Sequence, residues 1–249
     1  MKLVITKKDI AMFDELVQAR DITYYYCHCK EVFPLWVQLM TEKNSRQVIE
    51  QALIKGKENQ FKLVDTIRLY LDTMIMLGEH FQTDIQYTLF RNILSQIDGN
   101  EMSRASQLYE HLNDYTQKVI GDDATHFKEM IFLISISQLP VGEEGDFTID
   151  MLQFFKFIYP QKVTFVGEAI YQELIEWGRK QALVKYDFQD LTQQAIYLLF
   201  LFVLGQHFDT DLTCYWLNWS DIAMQIKANT YTLKDLAKIL AKIVIEGVE

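Results

Sequence analysis

The chain has 249 residues, 24 Lys and Arg against 34 Asp and Glu, a formal net charge of −10 and a sequence pI near 5.0. Its 10 Gly and 3 Pro fall well below the roughly 17 and 12 that average usage gives at this length, which argues against a turn-dense β-sandwich, a collagen-like repeat or low-complexity disorder. The acidic balance disfavours DNA or RNA as a partner, because phosphate binding depends on Lys and Arg releasing counterions; it favours a basic protein surface instead.

The N-terminal run Met1 to Asp9 carries charges on either side of an apolar stretch too short for a signal-peptide core, so a cytoplasmic protein is expected. Three cysteines give no disulfide framework and fit a reducing compartment. Cys27-His28-Cys29 has the wrong spacing for a structural zinc site, where two or more residues separate paired cysteines. Packing of Tyr24-Tyr25-Tyr26 and the thiols along one buried face is the expectation.

Apolar residues recur at helical spacing over Phe61, Val64, Ile67, Leu71, Met74 and Ile75, over Leu108, Leu112, Tyr115 and Val119, and over Leu236, Ile239, Leu240, Ile243 and Val244. Ile131 to Leu139 is rich in β-branched residues but has no second strand to pair with, so it is read as helix. Asp187 or Asp190 is placed to cap the helix through Tyr197 and Phe202. Thr232 with Asp235 forms a capping-box pattern, and Gly78, Gly121, Gly205 and Gly247 are stop signals. The apolar run Ala195 to Leu204 is about half the length of a membrane span and predicts a helix buried on all sides. No membrane partner is expected.

The most informative feature is a repeat. Leu77-Gly78-Glu79-His80-Phe81-Gln82-Thr83-Asp84-Ile85 and Leu204-Gly205-Gln206-His207-Phe208-Asp209-Thr210-Asp211-Leu212 lie 127 residues apart and share six identities in nine. Tyr70-Leu71 falls where Tyr197-Leu198 falls, and Phe33-Pro34 resembles Tyr159-Pro160. These matches predict an all-α bundle of two tandem, internally repeated halves, 1–125 and 126–249, packed as one globular unit.

Each nonapeptide is read as a structural elbow: Gly78 or Gly205 ends a helix at positive φ, and Phe81 or Phe208 plugs the corner. Asp84 or Asp211 accepts from free backbone N–H groups at the next helix start, and His80 or His207 bridges the elbow through a ring nitrogen. The competing reading is a zinc or iron set made of His80, Asp84, His207 and Asp211, which would imply a metal-dependent hydrolase or oxygenase. The recurrence of glycine and phenylalanine favours the elbow, since a ligand set needs neither; no metal, cofactor or catalytic residue is therefore assigned. No G-x-G-x-x-G, P-loop, G-x-S-x-G or H-E-x-x-H pattern occurs. Tyr215, Trp216 and Trp219 are read mainly as core. The Gly-rich acidic loop after Pro140, with Gly142, Glu143, Glu144, Asp146 and Phe147, is the candidate partner contact.

The stretch Leu204-Gly205-x-x-Phe208-x-x-Asp211, followed by Tyr215 and Trp216, resembles a signature of helical proteins encoded beside bacterial antagonistic toxin genes, including type VI secretion clusters. Their pattern is commonly L-G-x-x-F-x-x-D with a downstream proline and tryptophan; this chain has Cys214 and Tyr215 in that region. The resemblance implies an immunity factor that binds and neutralises a protein toxin, with a helical secretion chaperone or scaffold as a related alternative. It assigns no functional residue.

Overall fold

A computed structural model describes residues 7–96, 100–141 and 146–244, with side chains from residue 15 onward. Among the described residues every regular element is helical. In chain order these are α1 (Lys7–Val32), α2 (Pro34–Leu39), α3 (Glu42–Glu58), α4 (Val64–Leu77), α5 (Thr88–Leu94), α6 (Glu101–Tyr115), α7 (Thr125–Ile136), α8 (Phe147–Ile158), α9 (Pro160–Val166), α10 (Glu168–Tyr186), α11 (Leu191–Leu204), α12 (Trp219–Lys227) and α13 (Leu233–Ala241). Two 3₁₀ turns, Ile85–Tyr87 and Leu212–Leu217, follow the α4 and α11 elbows, and α6 runs on into a π turn, Thr116–Ile120.

The expected stripes form the core. Ile67, Leu71 and Met74 of α4, Leu108, Leu112 and Tyr115 of α6, and Leu236 and Leu240 of α13 are all buried. Val64 departs from its stripe: it sits in the first turn of α4 and is half exposed. Ile131 to Ile136 is helical, and the backbone turns extended at Ser137. In α11 every residue from Ala195 to Val203 is buried, as the unbroken apolar run requires, and Gln193 and Gln194 before it are buried as well. Gly178 lets α10 cross it closely, since a Cβ there would come within 2.5 Å of Leu198 Cδ2 and Leu201 Cδ1. Around α11 and α4 the other helices pack in adjacent pairs: α3 on α4, α10 on α11, α1 on α3, α8 on α10 and α13 on α7.

The helix starts use two devices. Asp190 caps α11 through Thr192 N at 2.6 Å, with Gln193 Oε1 accepting from Asp190 N, and Thr232 and Asp235 make a capping box on α13. Asp187 instead closes the end of α10 in a left-handed conformation. α4 has no side-chain cap of its own; Glu101, from the start of α6, accepts from Lys62 N at 2.7 Å, Leu63 N at 2.9 Å and Thr66 Oγ1 at 2.5 Å. Gly121 ends the π turn, while Gly247 lies outside the described residues.

Candidate functional site: the crossed elbows

Both nonapeptides fold as sequence chemistry dictates and then meet. α4 ends at Gly78 (φ 96°, ψ 157°) and α11 at Gly205 (φ 103°, ψ 166°), a region of backbone space nearly reserved for glycine. Each elbow then turns tightly through five residues to an aspartate that caps the following 3₁₀ turn: Asp84 Oδ1 accepts from Gln86 N at 2.9 Å and Asp211 Oδ1 from Thr213 N at 2.7 Å.

The second oxygen of each carboxylate crosses to the other elbow. Asp211 Oδ2 accepts from Glu79 N at 2.7 Å, and Asp84 Oδ2 accepts from Gln206 N at 2.8 Å. The residue after each glycine returns the bond: Glu79 Oε2 accepts from Leu212 N at 3.1 Å and Gln206 Oε1 from Ile85 N at 2.9 Å. Four backbone N–H groups left over by two helix ends and two turns are thus satisfied across the junction. The glycines are needed twice over, for a Cβ at Gly78 would lie 2.7 Å from Asp211 Oδ2 and one at Gly205 2.9 Å from Asp84 Oδ2.

Phe81 and Phe208 are both buried at the corners. Phe81 packs on Tyr70 and Phe90; Phe208 packs on Tyr197, Phe200 and Trp219. The histidines correct the expectation. Their rings make no hydrogen bond to their own elbows; His80 and His207 face one another with ring centroids 4.9 Å apart, because the two elbows are back to back. Trp177 lies edge-on to His207.

Charge at the junction is arranged in pairs. Lys55 Nζ binds Glu79 Oε1 at 2.8 Å, and Lys185 Nζ binds Asp209 Oδ2 at 2.5 Å, where the Tyr186 hydroxyl also donates. Lys162 is wholly buried, donates to Phe202 O and Val203 O at the end of α11, and supplies positive charge near Asp84. Burial pushes the Lys162 amine down to about 8, with Asp84 opposing the shift. Burial also raises both carboxyls, Asp211 to about 6, against the hydrogen bonds that favour their charged forms. Both imidazoles are held below the usual histidine range, first by desolvation, then by Lys55 at His80 and by the opposite ring at His207.

The four-residue metal set does not form: the aspartates point into backbone N–H groups, and among the described residues no three His, Cys, Asp or Glu side chains converge on a common ion position. Nor do the cysteines gather. Cys29 is buried, its thiol pushed up to about 12 by burial and then by Asp72, whereas Cys27 is exposed and His28 Nε2 pairs with Asp72 at 2.7 Å. Tyr25 and Tyr26 are buried and Tyr24 is exposed, giving the one-sided packing expected. Trp219 joins the aromatic core, but Tyr215 is half exposed.

Of the loop residues read as partner contacts, Gly142, Glu143 and Glu144 lie outside the described residues. Asp146 is the N-cap of α8, accepting from Thr148 N and Ile149 N. Phe147 is a correction: it is buried under the Arg179 guanidinium, 4.5 Å from its ring centre, because it opens the apolar face of α8. Exposed apolar side chains occur instead on the helices flanking that loop, Phe132 and Ile136 of α7 and Ile149 and Phe157 of α8, each more than half exposed. Their outward direction depends on which faces of α7 and α8 are covered by α13 and α10.

No protein-family model, no curated protein and no solved structure matches this chain. No described helix is long and apolar enough to cross a membrane.

Proposed function

We propose that the chain is a protein-binding immunity factor, built from two repeated halves (1–125 and 126–249), that neutralises a bacterial toxin by occluding its active or binding site. The observation that carries this reading is the engagement of Asp84 and Asp211. The acidic groups that recur in both elbows are buried and bonded to backbone N–H groups of the opposite elbow, which suits a rigid binding scaffold better than a catalyst. The order of elements supports the two-half reading: a short helix opening with proline, α2 or α9, precedes a long helix, α3 or α10, then a 14-residue helix ending in Leu-Gly, α4 or α11. Net charge −10 supports a basic partner surface, and the L-G-x-x-F-x-x-D resemblance supports a toxin as that partner.

The exposed apolar residues Phe132, Ile136, Ile149 and Phe157, beside the loop that carries Glu143 and Glu144, are the proposed contact face. The test is co-expression with the product of the adjacent gene. A stable complex and rescue of growth from that product's toxicity are expected; neither complex nor rescue overturns the reading. Within a complex, Glu143→Lys with Glu144→Lys slows association and flattens its salt dependence, measured by stopped-flow at two ionic strengths. Unchanged kinetics would remove the loop from the interface.

A further inference from the structure

After the backbone bonds are assigned, two imidazoles remain at the junction with nothing to do. Of the five histidines, His28 is paired with Asp72, His111 lies between Phe90 and Phe165, and His126 is pressed against Gly121. His80 and His207 are half-buried, lie side by side from different elbows, and make no ring hydrogen bond among the described residues. The carboxylates around them are already engaged as acceptors: Glu79 from Lys55 and Leu212 N, Asp209 from Lys185 and Tyr186, and Asp84 and Asp211 in the crossed backbone bonds.

Their spacing is that of two ligands on one ion. An imidazole nitrogen binds a first-row divalent metal at about 2.0–2.1 Å, which puts the metal about 3.2 Å from the ring centre. Two such rings at about 100–110° to each other then have centres about 4.9–5.2 Å apart. The observed separation is 4.9 Å. We propose that His80 and His207 form a two-histidine site for a divalent transition-metal ion of the zinc, nickel or copper class, with water or a partner's side chain completing the coordination.

The surroundings suit a cation. Glu79, Asp84, Asp209 and Asp211 each favour positive charge on one ring or both, and Lys55 opposes it at His80. Metal binding uses the neutral imidazole, whose free ring nitrogen is the ligand. Imidazole ligation favours this group of metals over magnesium or calcium, which take oxygen donors.

The test is titration of the purified full-length chain with nickel and zinc chloride, by calorimetry and by thermal melting. One ion per chain and a raised melting temperature are expected, with His80→Asn and His207→Asn each weakening binding by at least the roughly 10–100-fold that loss of an outer-shell partner brings. Circular dichroism of the metal-free variants checks that they fold. Copper titration of the unmodified chain, read by electron paramagnetic resonance, gives an answer that needs no variant: couplings from two imidazole nitrogens are expected. Absence of binding, or binding undiminished in the double variant, which would mark an adventitious surface ion only, overturns the site. A single coupled nitrogen would do the same.

Discussion

The two elbows have the same backbone and different neighbours. Each has a glycine at positive φ, a buried phenylalanine and an aspartate that bridges to the other. Around the first lie Gln82, hydrogen-bonded to the Tyr70 hydroxyl, and the ion pair Lys55–Glu79; around the second lie Asp209, with Lys185 and Tyr186, and the neutral Gln206. Two residues after the proline of each short helix stands Trp36 in one case and Lys162 in the other. Trp36 donates its indole N–H to Thr213 O, behind Asp211, while Lys162 faces Asp84. What is common to the two therefore serves the backbone, and what differs serves packing and charge balance. Glu79 brings its own lysine, and Asp84 is served by a buried one.

That comparison can be broken experimentally, most forcefully at the carboxylates. Asp84→Ala leaves two N–H groups unpaired and also isolates the buried Lys162 charge, so a loss of about 3–5 kcal/mol is expected. Asp211→Ala has no buried lysine behind it and is expected to lose about 2 kcal/mol. Urea unfolding of the two variants measures the difference, and equal losses would show that Lys162 does not depend on Asp84.

Alanine at either elbow glycine forces a Cβ into a carboxylate oxygen and a residue into disfavoured backbone space. Gly78→Ala and Gly205→Ala are each expected to cost about 3 kcal/mol by the same measurement. A marked inequality would mean that the two corners are not equivalent.

Lys162 gives a signature in pH. Its native amine sits near 8, below its ordinary 10.5, so as pH falls the unfolded chain takes up the proton first. Wild type should lose stability relative to Lys162→Met between about pH 10.5 and 8, with a constant difference below that range. A difference independent of pH would place the amine in water.

The smallest effects are expected at the helix starts. Asp190→Ala removes a local cap from α11, and Glu101→Ala removes the remote cap from α4; each should lower stability by about 1 kcal/mol in thermal melts. An unaffected Glu101→Ala would show that α4 needs no cap.

Much of this was legible because its physics is local. Helical spacing placed the core faces of α4, α6 and α13, and the glycines placed the ends of α4 and α11. Asp190 and Thr232 announced the helices they open, since a cap binds N–H groups two or three residues away.

What escaped the sequence is what acts at a distance. Asp84 and Asp211 each have a local partner that accounts for them fully, so nothing in the spacing revealed that the second oxygen reaches 122 or 132 residues along the chain. Glu101 reads as an ordinary first-turn acid of α6, and its service to α4 is visible only in three dimensions. Lys162 and Arg104 look like surface residues until their surroundings are known: Lys162 lies on the last carbonyls of α11, and Arg104 donates to Asn59 O at 2.8 Å with its guanidinium over Phe61. The two histidines were legible as members of a four-residue set, but that they meet without the aspartates is set by how the two corners abut.

The crossed carboxylates carry a consequence for how the chain must be assembled. Cut between α6 and α7, each fragment would hold two acceptors whose donors reside on the other piece, along with a helix end it could not finish alone. Mixing the fragments should restore a native far-ultraviolet spectrum that neither gives by itself. Two intact chains could make the same exchange at high concentration, each lending its front portion to the other's back.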